Sequence, residues 1–245
     1  MKPVLTDNPR SIQQKNQSVY DNLWAGAWLL EADNFNTWPL IQRLLGDSQA
    51  RLEIAPGLRP RLPTRGTHFV DISRFALSKL SEKGGKTVQS SVCALPFADN
   101  SFDLVCALDI IEHVEDDHAA MREIARVAKT GAVVILSTPL HPSWWTQFDD
   151  FVGHYRRYEP ERIRSLLKEY GLNVSKSAVF GMKPRSSGLA NFGMWFLKKQ
   201  PKRALWWYNR LFPHIARKQK ALELEDGLID MTNIGEIFMV CKKAR

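Results

Sequence analysis

Short apolar runs alternate with amphipathic stretches through the middle of the chain, from residue 51 to residue 138. The runs are rich in β-branched residues and have the length of buried strands. The stretches between them repeat apolar positions every three or four residues, as helices do. This alternation is typical of parallel βαβ units. The predicted strands are Arg51–Ala55, His68–Ile72, Thr87–Val92, Phe102–Leu108 and Ala132–Thr138.

The helices are marked by residues suited to their first turns. Ser73 and Asp116 carry side-chain oxygens that can accept hydrogen bonds from the unpaired amides of a first turn. Pro160 suits the first position of a later helix, because a missing amide costs little there. The predicted helices are Ser73–Lys83, Asp116–Lys129 and Glu159–Tyr170, and two late strands are predicted at Leu172–Phe180 and Glu236–Lys242.

The segment before the first strand has an aromatic pattern of its own. Tyr20, Leu23, Trp24 and Trp28 recur at spacings near three and four, which favours a leading helix with one aromatic stripe. This stripe would either pack plainly against the sheet or close over a bound ligand. The prediction is an N-terminal helical segment at 11–46.

No stretch rich in Pro, Gly or Ser divides the 245 residues, so we expect a single domain over 1–245. Residues 183–232 lie between the two late strands and are too many for a turn. They are expected to form an insertion with helices of its own.

The formal net charge of +8 comes from the first part of this insertion. Positions 183–220 hold ten Lys or Arg and no Asp or Glu, so the remaining residues are slightly acidic. Basic and aromatic residues mixed in this way suit contact with an anionic membrane or a lipid-like acceptor, and a plain cap over the fold is the alternative. Nucleic-acid binding is the least favoured reading. The aromatic residues are Phe192, Trp195, Phe196, Trp206, Trp207, Tyr208 and Phe212.

The cysteines and the apolar segments bear on the compartment. Cys93, Cys106 and Cys241 are too few for a disulfide framework and lack the spacing of a structural zinc site, so we expect a reducing compartment and no metal. Residues 1–15 lack the apolar run of a signal peptide, and no stretch reaches the roughly 18 apolar residues of a membrane-spanning helix. The expected location is cytoplasmic, with peripheral membrane contact through 183–220.

Four motifs stand where the predicted strands end. LEIAPGLRP (52–60) has small residues at a strand-to-helix turn, where a nucleotide must approach the backbone closely. VDIS (70–73) ends the second strand with Asp71, whose carboxylate can accept hydrogen bonds from both hydroxyls of a ribose. LPFADNSFDLV (95–105) leads into the fourth strand, and LDIIEHVEDD (108–117) ends it.

Together with VVILSTP (133–139), these motifs resemble class I S-adenosylmethionine (SAM)-dependent methyltransferases, especially the group that methylates small molecules, quinones and lipids. The resemblance runs from about residue 51 to 180 and resumes at the last strand. It implies an α/β, Rossmann-like sheet of seven strands with helices on both faces. Six strands would be parallel, and the last would be antiparallel beside the fifth.

The resemblance also implies the site residues and their roles. Glu53, Ala55 and Gly57 would line the methionine part of SAM, and Asp71 would hold the ribose. The adenine would lie beside Ile72, Val92 and Cys93, and the sulfonium end would lie above Leu108 and Asp109. Three positions depart from the family pattern: Ala55 and Arg59 replace glycines, and Ser91 replaces an acidic residue.

Methyl transfer is an in-line displacement, so the protein chiefly aligns the acceptor and excludes water. A general base is needed only where the acceptor must lose a proton, and the candidate bases are His113, His141 and His154. The segment HPSWWTQFDDFVGHYRRY (141–158) is expected to cover a small-molecule or lipid-like acceptor. Its candidate contacts are Trp144, Trp145, Tyr155, Arg156 and Arg157.

Alternatives remain at two levels. GHYRRY (153–158) would either anchor its loop as a knot of hydrogen bonds or bind an anionic acceptor through an Arg fork. For the whole chain, the alternative to an enzyme is a degenerate methyltransferase fold that serves as a binding or scaffolding module. A dehydrogenase is disfavoured because the full GxGxxG pattern is missing.

Overall fold

The computed structural model describes residues 21, 24, 27–181, 193, 195–196 and 199–244. One sheet of eight strands runs through the molecule in the order β3-β2-β1-β4-β5-β8-β6-β7. The strands are β1 (Arg51–Ile54), β2 (Thr67–Asp71), β3 (Lys86–Gln89), β4 (Phe102–Leu108), β5 (Ala128–Pro139), β6 (Leu172–Val179), β7 (Glu225–Asp226) and β8 (Glu236–Lys243).

The directions of the strands confirm the predicted fold class. Strands β1 to β5 pair in parallel, and β8 is antiparallel to both β5 and β6, so β6 runs with the parallel set. The sheet therefore has six parallel strands with the last strand inserted beside the fifth. It differs from the prediction by one strand, because the short β7 pairs with β6 at the sheet edge.

The helices also follow the predicted pattern, with boundaries moved by one or two residues. Ser73 and Asp116 cap their helices as expected: their side chains accept hydrogen bonds from the amides of Ala76 and Ala119. The helices are α1 (Trp38–Leu45), α2 (Arg74–Glu82), α3 (Asp117–Val127), α4 (Gln147–Val152), α5 (Pro160–Glu169) and α6 (Pro201–Arg217).

Two strands differ from the prediction in length. β3 ends at Gln89 rather than Val92, because it lies at the sheet edge and the chain turns where the amide of Ala94 bonds to the carbonyl of Ser91. β5 begins at Ala128 rather than Ala132, since Phe102 of β4 already pairs with Ala128 before a shift in register.

The core is divided by the sheet into two layers. Successive residues of β4 face opposite sides, so Val105 and Ala107 join one buried cluster while Leu104 and Cys106 join the other. Both faces of a parallel sheet are buried, which explains the apolar run from Leu104 to Leu108 in this strand. Helices α3 and α5 cover the first layer, and α1 covers the second.

The flanks follow the sequence prediction only in part. Trp24 is helical and buried, but residues 27–30 are not helical and Trp28 is 64% exposed, so the predicted aromatic stripe does not extend to Trp28. Tyr20 and Leu23 lie outside the described residues. In the insertion, α6 is the expected helix, whereas β7 was not predicted.

Non-glycine residues with left-handed backbone follow three neighbouring strands. Ala55 (φ 54°), Asp109 (φ 49°) and His141 (φ 60°) come after β1, β4 and β5. Such conformations cost energy and are held by their surroundings, often at functional sites. Gly57 shares this conformation (φ 55°), and a Cβ there would overlap the indole ring of Trp24.

These two positions of the β1 loop predict opposite effects on stability. Ala55→Gly should raise the free energy of unfolding by about 0.5–1 kcal/mol, because relief of the left-handed backbone outweighs the greater flexibility of glycine. Gly57→Ala should lower it by about 2 kcal/mol or more, because the new methyl group adds the same strain and also meets Trp24. Urea denaturation of the three proteins measures both changes. A destabilised Ala55→Gly protein would contradict the proposed strain.

Candidate cofactor and acceptor site

The predicted site residues meet at one edge of the sheet. In parallel strands the carboxyl ends lie together, and the crevice outside them is where such folds bind ligands. Asp71 ends β2, Leu108 ends β4, and Ala55 and Gly57 follow β1. Because β1 lies between β2 and β4, these residues are neighbours in space.

Asp71 is the central acid of this edge. Its carboxylate is buried and accepts hydrogen bonds from the amides of Gly57 (3.0 Å) and Ser73 (2.8 Å). Burial raises the pKa of Asp71 to about 6, although both amides act against this shift. A carboxylate has about four lone-pair sites, so Asp71 can accept a further hydrogen bond, such as one from a ribose hydroxyl.

Glu53 closes the loop that carries Gly57. Its buried carboxylate accepts hydrogen bonds from the amides of Arg61 (2.8 and 3.1 Å) and Leu62 (2.9 Å). Burial raises the pKa of Glu53 to about 7. The structure thus gives Glu53 a task in shaping the loop, and its contact with the methionine part of SAM stays a prediction.

The predicted adenine contacts lie beyond β2 and β3. Ile72 and Cys93 are half-buried, and Val92 is buried in the core. The hydroxyl of Ser91 accepts a hydrogen bond from the amide of Cys93 at 3.2 Å. Ser91 therefore has a local role in the turn, where the family pattern has an acidic residue.

Asp109 is held by β5 and faces a second acid. The hydroxyl of Ser137 donates to Asp109 Oδ1 at 2.6 Å, and the amide of Asp109 donates to Ser137 Oγ at 3.0 Å. Burial raises the pKa of Asp109 and raises that of Glu236 well above its usual value, and the two carboxyl groups share a hydrogen bond. Protonated Glu236 is the donor in this pair.

The acidic segment after β4 contains a further buried group. Glu112 is completely buried, and its Oε2 accepts a long hydrogen bond (3.4 Å) from Thr138. Burial and the nearby Asp109 raise the pKa of Glu112 well above its usual value. Burial lowers the pKa of His113 to about 3, so this imidazole is neutral at neutral pH.

His154 is oriented by a buried aspartate. Its Nδ1 lies 2.8 Å from Asp149 Oδ1, and the guanidinium of Arg157 donates to the same oxygen at 2.8 Å. Asp149 also closes a capping box with Thr146 at the start of α4. Burial alone would raise the pKa of Asp149, but the hydrogen bonds from His154, Arg157 and Thr146 hold it well below its usual range.

The GHYRRY segment forms the hydrogen-bonded knot that was one of its two predicted roles. Arg157 is bonded to Asp149, and Arg156 forms an ion pair with Asp117 at 2.9 Å. The buried Tyr158 donates towards the carbonyl of Ile111 (3.3 Å) and towards Asp117 (3.2 Å). Both arginines pair with aspartates of the protein. These ion pairs do not support the predicted contact with an anionic acceptor, which stays a prediction.

The remaining acceptor candidates line the loop after β5. Trp144 is partly exposed and stacks near His141, with ring centroids 4.6 Å apart, and His141 Nε2 lies 2.8 Å from the carbonyl of Met231. Trp145 donates to Asp150 at 3.0 Å. Tyr155 is half-buried, and its amide bonds to the carbonyl of Glu112.

Helix α6 of the insertion contacts the loop after β1, and the sequence did not predict this contact. The guanidinium carbon of Arg59 lies 3.6 Å from the ring centroid of Phe212 and 5.3 Å from that of Trp24. Arg59 also donates to Asn209 at 3.5 Å. The unusual Arg59 serves this contact.

Three polar residues of the site were not among the residues predicted from the sequence. Asp149 could have been found from the capping-box spacing Thr146-x-x-Asp149. Glu236 opens the antiparallel strand opposite Pro139, which brings it to the carboxyl edge of β5. Ser137 had no signal beyond its place in a buried strand.

Comparison with known proteins begins with sequence. Residues 59–136 match the protein family described as "Methyltransferase domain". The chain is 32% identical to the uncharacterized protein YafE of Escherichia coli over 115 residues, which are 44% of this chain and 56% of YafE. It is 34% identical to demethylmenaquinone methyltransferase of Corynebacterium efficiens over 85 residues, 34% of this chain and 37% of that protein. The chain thus spans about half of the length of YafE and about a third of that of the methyltransferase.

Solved structures extend the likeness to the whole fold. A SAM-dependent methyltransferase of Thermotoga maritima, described as a possible histamine N-methyltransferase, superposes with a TM-score of 0.56 at 13% identity, covering 96% of this chain and 95% of that one. The [4+2]-cyclase SpnF gives 0.58 at 15% identity, covering 99% and 98%. At these identities the likeness shows the fold alone. The family match over residues 59–136 and the shared fold agree with the resemblance of the ordered motifs to class I SAM-dependent methyltransferases.

Proposed function

We propose that the chain binds SAM and transfers its methyl group to a small-molecule or lipid-like acceptor. The observation that carries this proposal is the position of Asp71, a buried carboxylate held at the end of β2 by the amides of Gly57 and Ser73. It stands beside a small-residue loop, where a ribose and its methionine arm would lie together.

The cofactor would occupy the carboxyl edge of β1, β2 and β4. Asp71 would accept hydrogen bonds from the ribose hydroxyls, and Ala55 and Gly57 would allow the methionine arm close to the backbone. Ile72, Val92 and Cys93 would border the adenine, and Leu108 and Asp109 would lie under the sulfonium. Glu53 would act by holding the loop in shape.

The acceptor would lie over the ends of β4 and β5. The demethylmenaquinone methyltransferase relative favours a small-molecule acceptor of the quinone type. Trp144, Trp145 and Tyr155 would contact it. For an acceptor that must lose a proton, the candidate bases are His113, His141 and His154.

A peripheral membrane contact through the insertion is proposed for the described part of 183–220. On α6 the side chains of Trp206 (52%), Trp207 (49%), Leu211 (49%) and Ile215 (51%) are exposed. Arg203 and Arg210 are exposed on the same helix, and the opposite stripe is buried. Apolar and basic groups on one face suit an anionic bilayer surface. Among the described residues, no helix is long and apolar enough to cross a membrane.

The cofactor proposal predicts a pH-dependent affinity. S-adenosylhomocysteine should stabilise the folded protein by about 2.7 kcal/mol at a hundredfold excess over its Kd. Since ribose hydroxyls donate to the charged carboxylate, affinity should be constant above the Asp71 pKa of about 6 and fall by about tenfold per pH unit below it. Asp71→Asn should weaken binding by about 1–3 kcal/mol and remove this pH dependence. Calorimetry between pH 5 and 8 measures both effects.

Asp103→Asn is the matched control for this test. Asp103 also accepts a hydrogen bond from a backbone amide, that of Ala50 at 2.9 Å, but lies at the opposite end of β4. Its substitution should leave S-adenosylhomocysteine affinity unchanged. A wild-type protein with no thermal shift at millimolar ligand would favour the degenerate-module alternative instead.

The membrane proposal predicts that Trp206→Ala/Trp207→Ala reduces partitioning onto anionic vesicles by about tenfold or more, because two exposed indoles leave the interface. Wild-type binding should weaken in high salt and on neutral vesicles. Vesicle cosedimentation measures both. Phe148→Ala removes an equally exposed aromatic ring (50%) from α4 and should bind as wild type does. Equal binding by all three proteins would refute a role for α6.

A further inference from the structure

Three side chains at the end of β4 form a compact group that the methyl-transfer proposal does not require. Glu112 and His113 lie in the short helical turn after β4, and His154 lies after α4. One ligand atom from each comes within 4.8 Å of the others. The rings of His113 and His154 are nearly perpendicular, with centroids 4.5 Å apart. These three residues are called the Glu112 cluster below.

The first observation that points to a ligand is the environment of Glu112. Its side chain is 0% exposed, and among the described residues its Oε1 has no hydrogen-bond partner. A buried carboxylate oxygen without a partner is costly, and such groups are rare in folded proteins. The nearby Asp109 adds negative charge, and the neighbouring cation Arg157 is hydrogen-bonded to Asp149.

The two imidazoles are held in the manner of metal-binding histidines. His154 Nδ1 is bonded to the buried Asp149, so Nε2 is the nitrogen it can offer to the cluster. His113 is bonded to the backbone of Gly153. A ligating histidine usually donates its second ring N–H to a carboxylate or a carbonyl, which fixes the tautomer and the ring orientation. The cluster has both kinds of partner.

We propose that Glu112, His113 and His154 bind one divalent transition-metal ion of the Zn²⁺ class. Two imidazole nitrogens and one carboxylate oxygen are the protein donors of known catalytic zinc sites, which keep a fourth position open for water or substrate. Imidazole ligands also disfavour Mg²⁺ and Ca²⁺. The ion would supply the positive charge that Glu112 Oε1 lacks.

Binding would require a modest contraction of the cluster. Metal–ligand bonds of about 2.0–2.2 Å place the ligands of a tetrahedral ion roughly 3.3–3.6 Å apart. The fourth coordination position of the ion would remain open to water or to an oxygen or nitrogen atom of the acceptor. The inference does not depend on SAM binding, because Asp71 lies at the end of a different strand. The spacing of Cys and His in the sequence gave no sign of this site.

The test is Zn²⁺ titration of the full chain after chelator treatment, by calorimetry, with Co²⁺ absorption as a second readout. The expected result is one Zn²⁺ per chain, visible Co²⁺ bands, and no displacement by millimolar Mg²⁺. Glu112→Gln and His154→Gln should each weaken Zn²⁺ binding by at least about tenfold. His118→Gln is the matched control, because His118 also pairs with a carboxylate, that of Glu169 at 3.1 Å, but on the surface.

Several results would overturn the proposal. They are absence of stoichiometric Zn²⁺ binding, equal binding by wild type and both cluster variants, or loss of binding in His118→Gln. Circular dichroism and melting curves establish that each variant is folded. If His154→Gln does not fold, Glu112→Gln decides the question, because glutamine keeps the shape of glutamate while removing its charge. S-adenosylhomocysteine binding, measured in parallel, separates this result from the cofactor proposal.

Discussion

The carboxyl edge of the sheet depends on buried carboxylates that hold backbone amides. Glu53 fixes the loop after β1, Asp71 joins that loop to the start of α2, and Asp149 closes the first turn of α4. Each buried charge is costly unless its oxygens are bonded, and each loop amide needs a partner away from water. The two requirements are met by the same contacts, so the loops of the candidate site are held without a bound ligand.

Glu112 is the exception among these acids. It lies at the same edge and is equally buried, yet one of its oxygens has no partner among the described residues. Glu53 and Asp71 show that this fold can provide hydrogen-bond donors for a buried carboxylate. The unpartnered oxygen of Glu112 is therefore a departure that calls for an explanation. The oxygens of Glu53 and Asp71 accept hydrogen bonds from loop amides, whereas no group in the described part of the chain donates to Glu112 Oε1.

The sequence predicted those parts of the molecule that local patterns determine. The strand directions, the caps at Ser73 and Asp116, and the place of Asp71 at the end of a strand followed from periodicity, capping chemistry and the family resemblance. Contacts between distant segments were not predicted, because no local pattern records them. Glu236 reaches the site only through the antiparallel insertion of β8, and Arg59 meets Phe212 across some 150 residues of chain. Glu112 and His113 were visible as a motif, but their proximity to His154 was not.

Arg59 connects the loop after β1 to two other segments of the chain. Its guanidinium contacts the rings of both Trp24 and Phe212, so the loop after β1, the N-terminal segment and α6 meet at one residue. If a ligand at either site alters this contact, the affinities of the two sites are coupled, and such coupling is reciprocal. A surface or molecule that displaces α6 and thereby changes the affinity of the loop for its ligand must have its own affinity changed by the same factor when that ligand binds. Through Arg59, which stands where the family pattern has a glycine, binding at α6 and binding in the crevice would thus each change the affinity of the other.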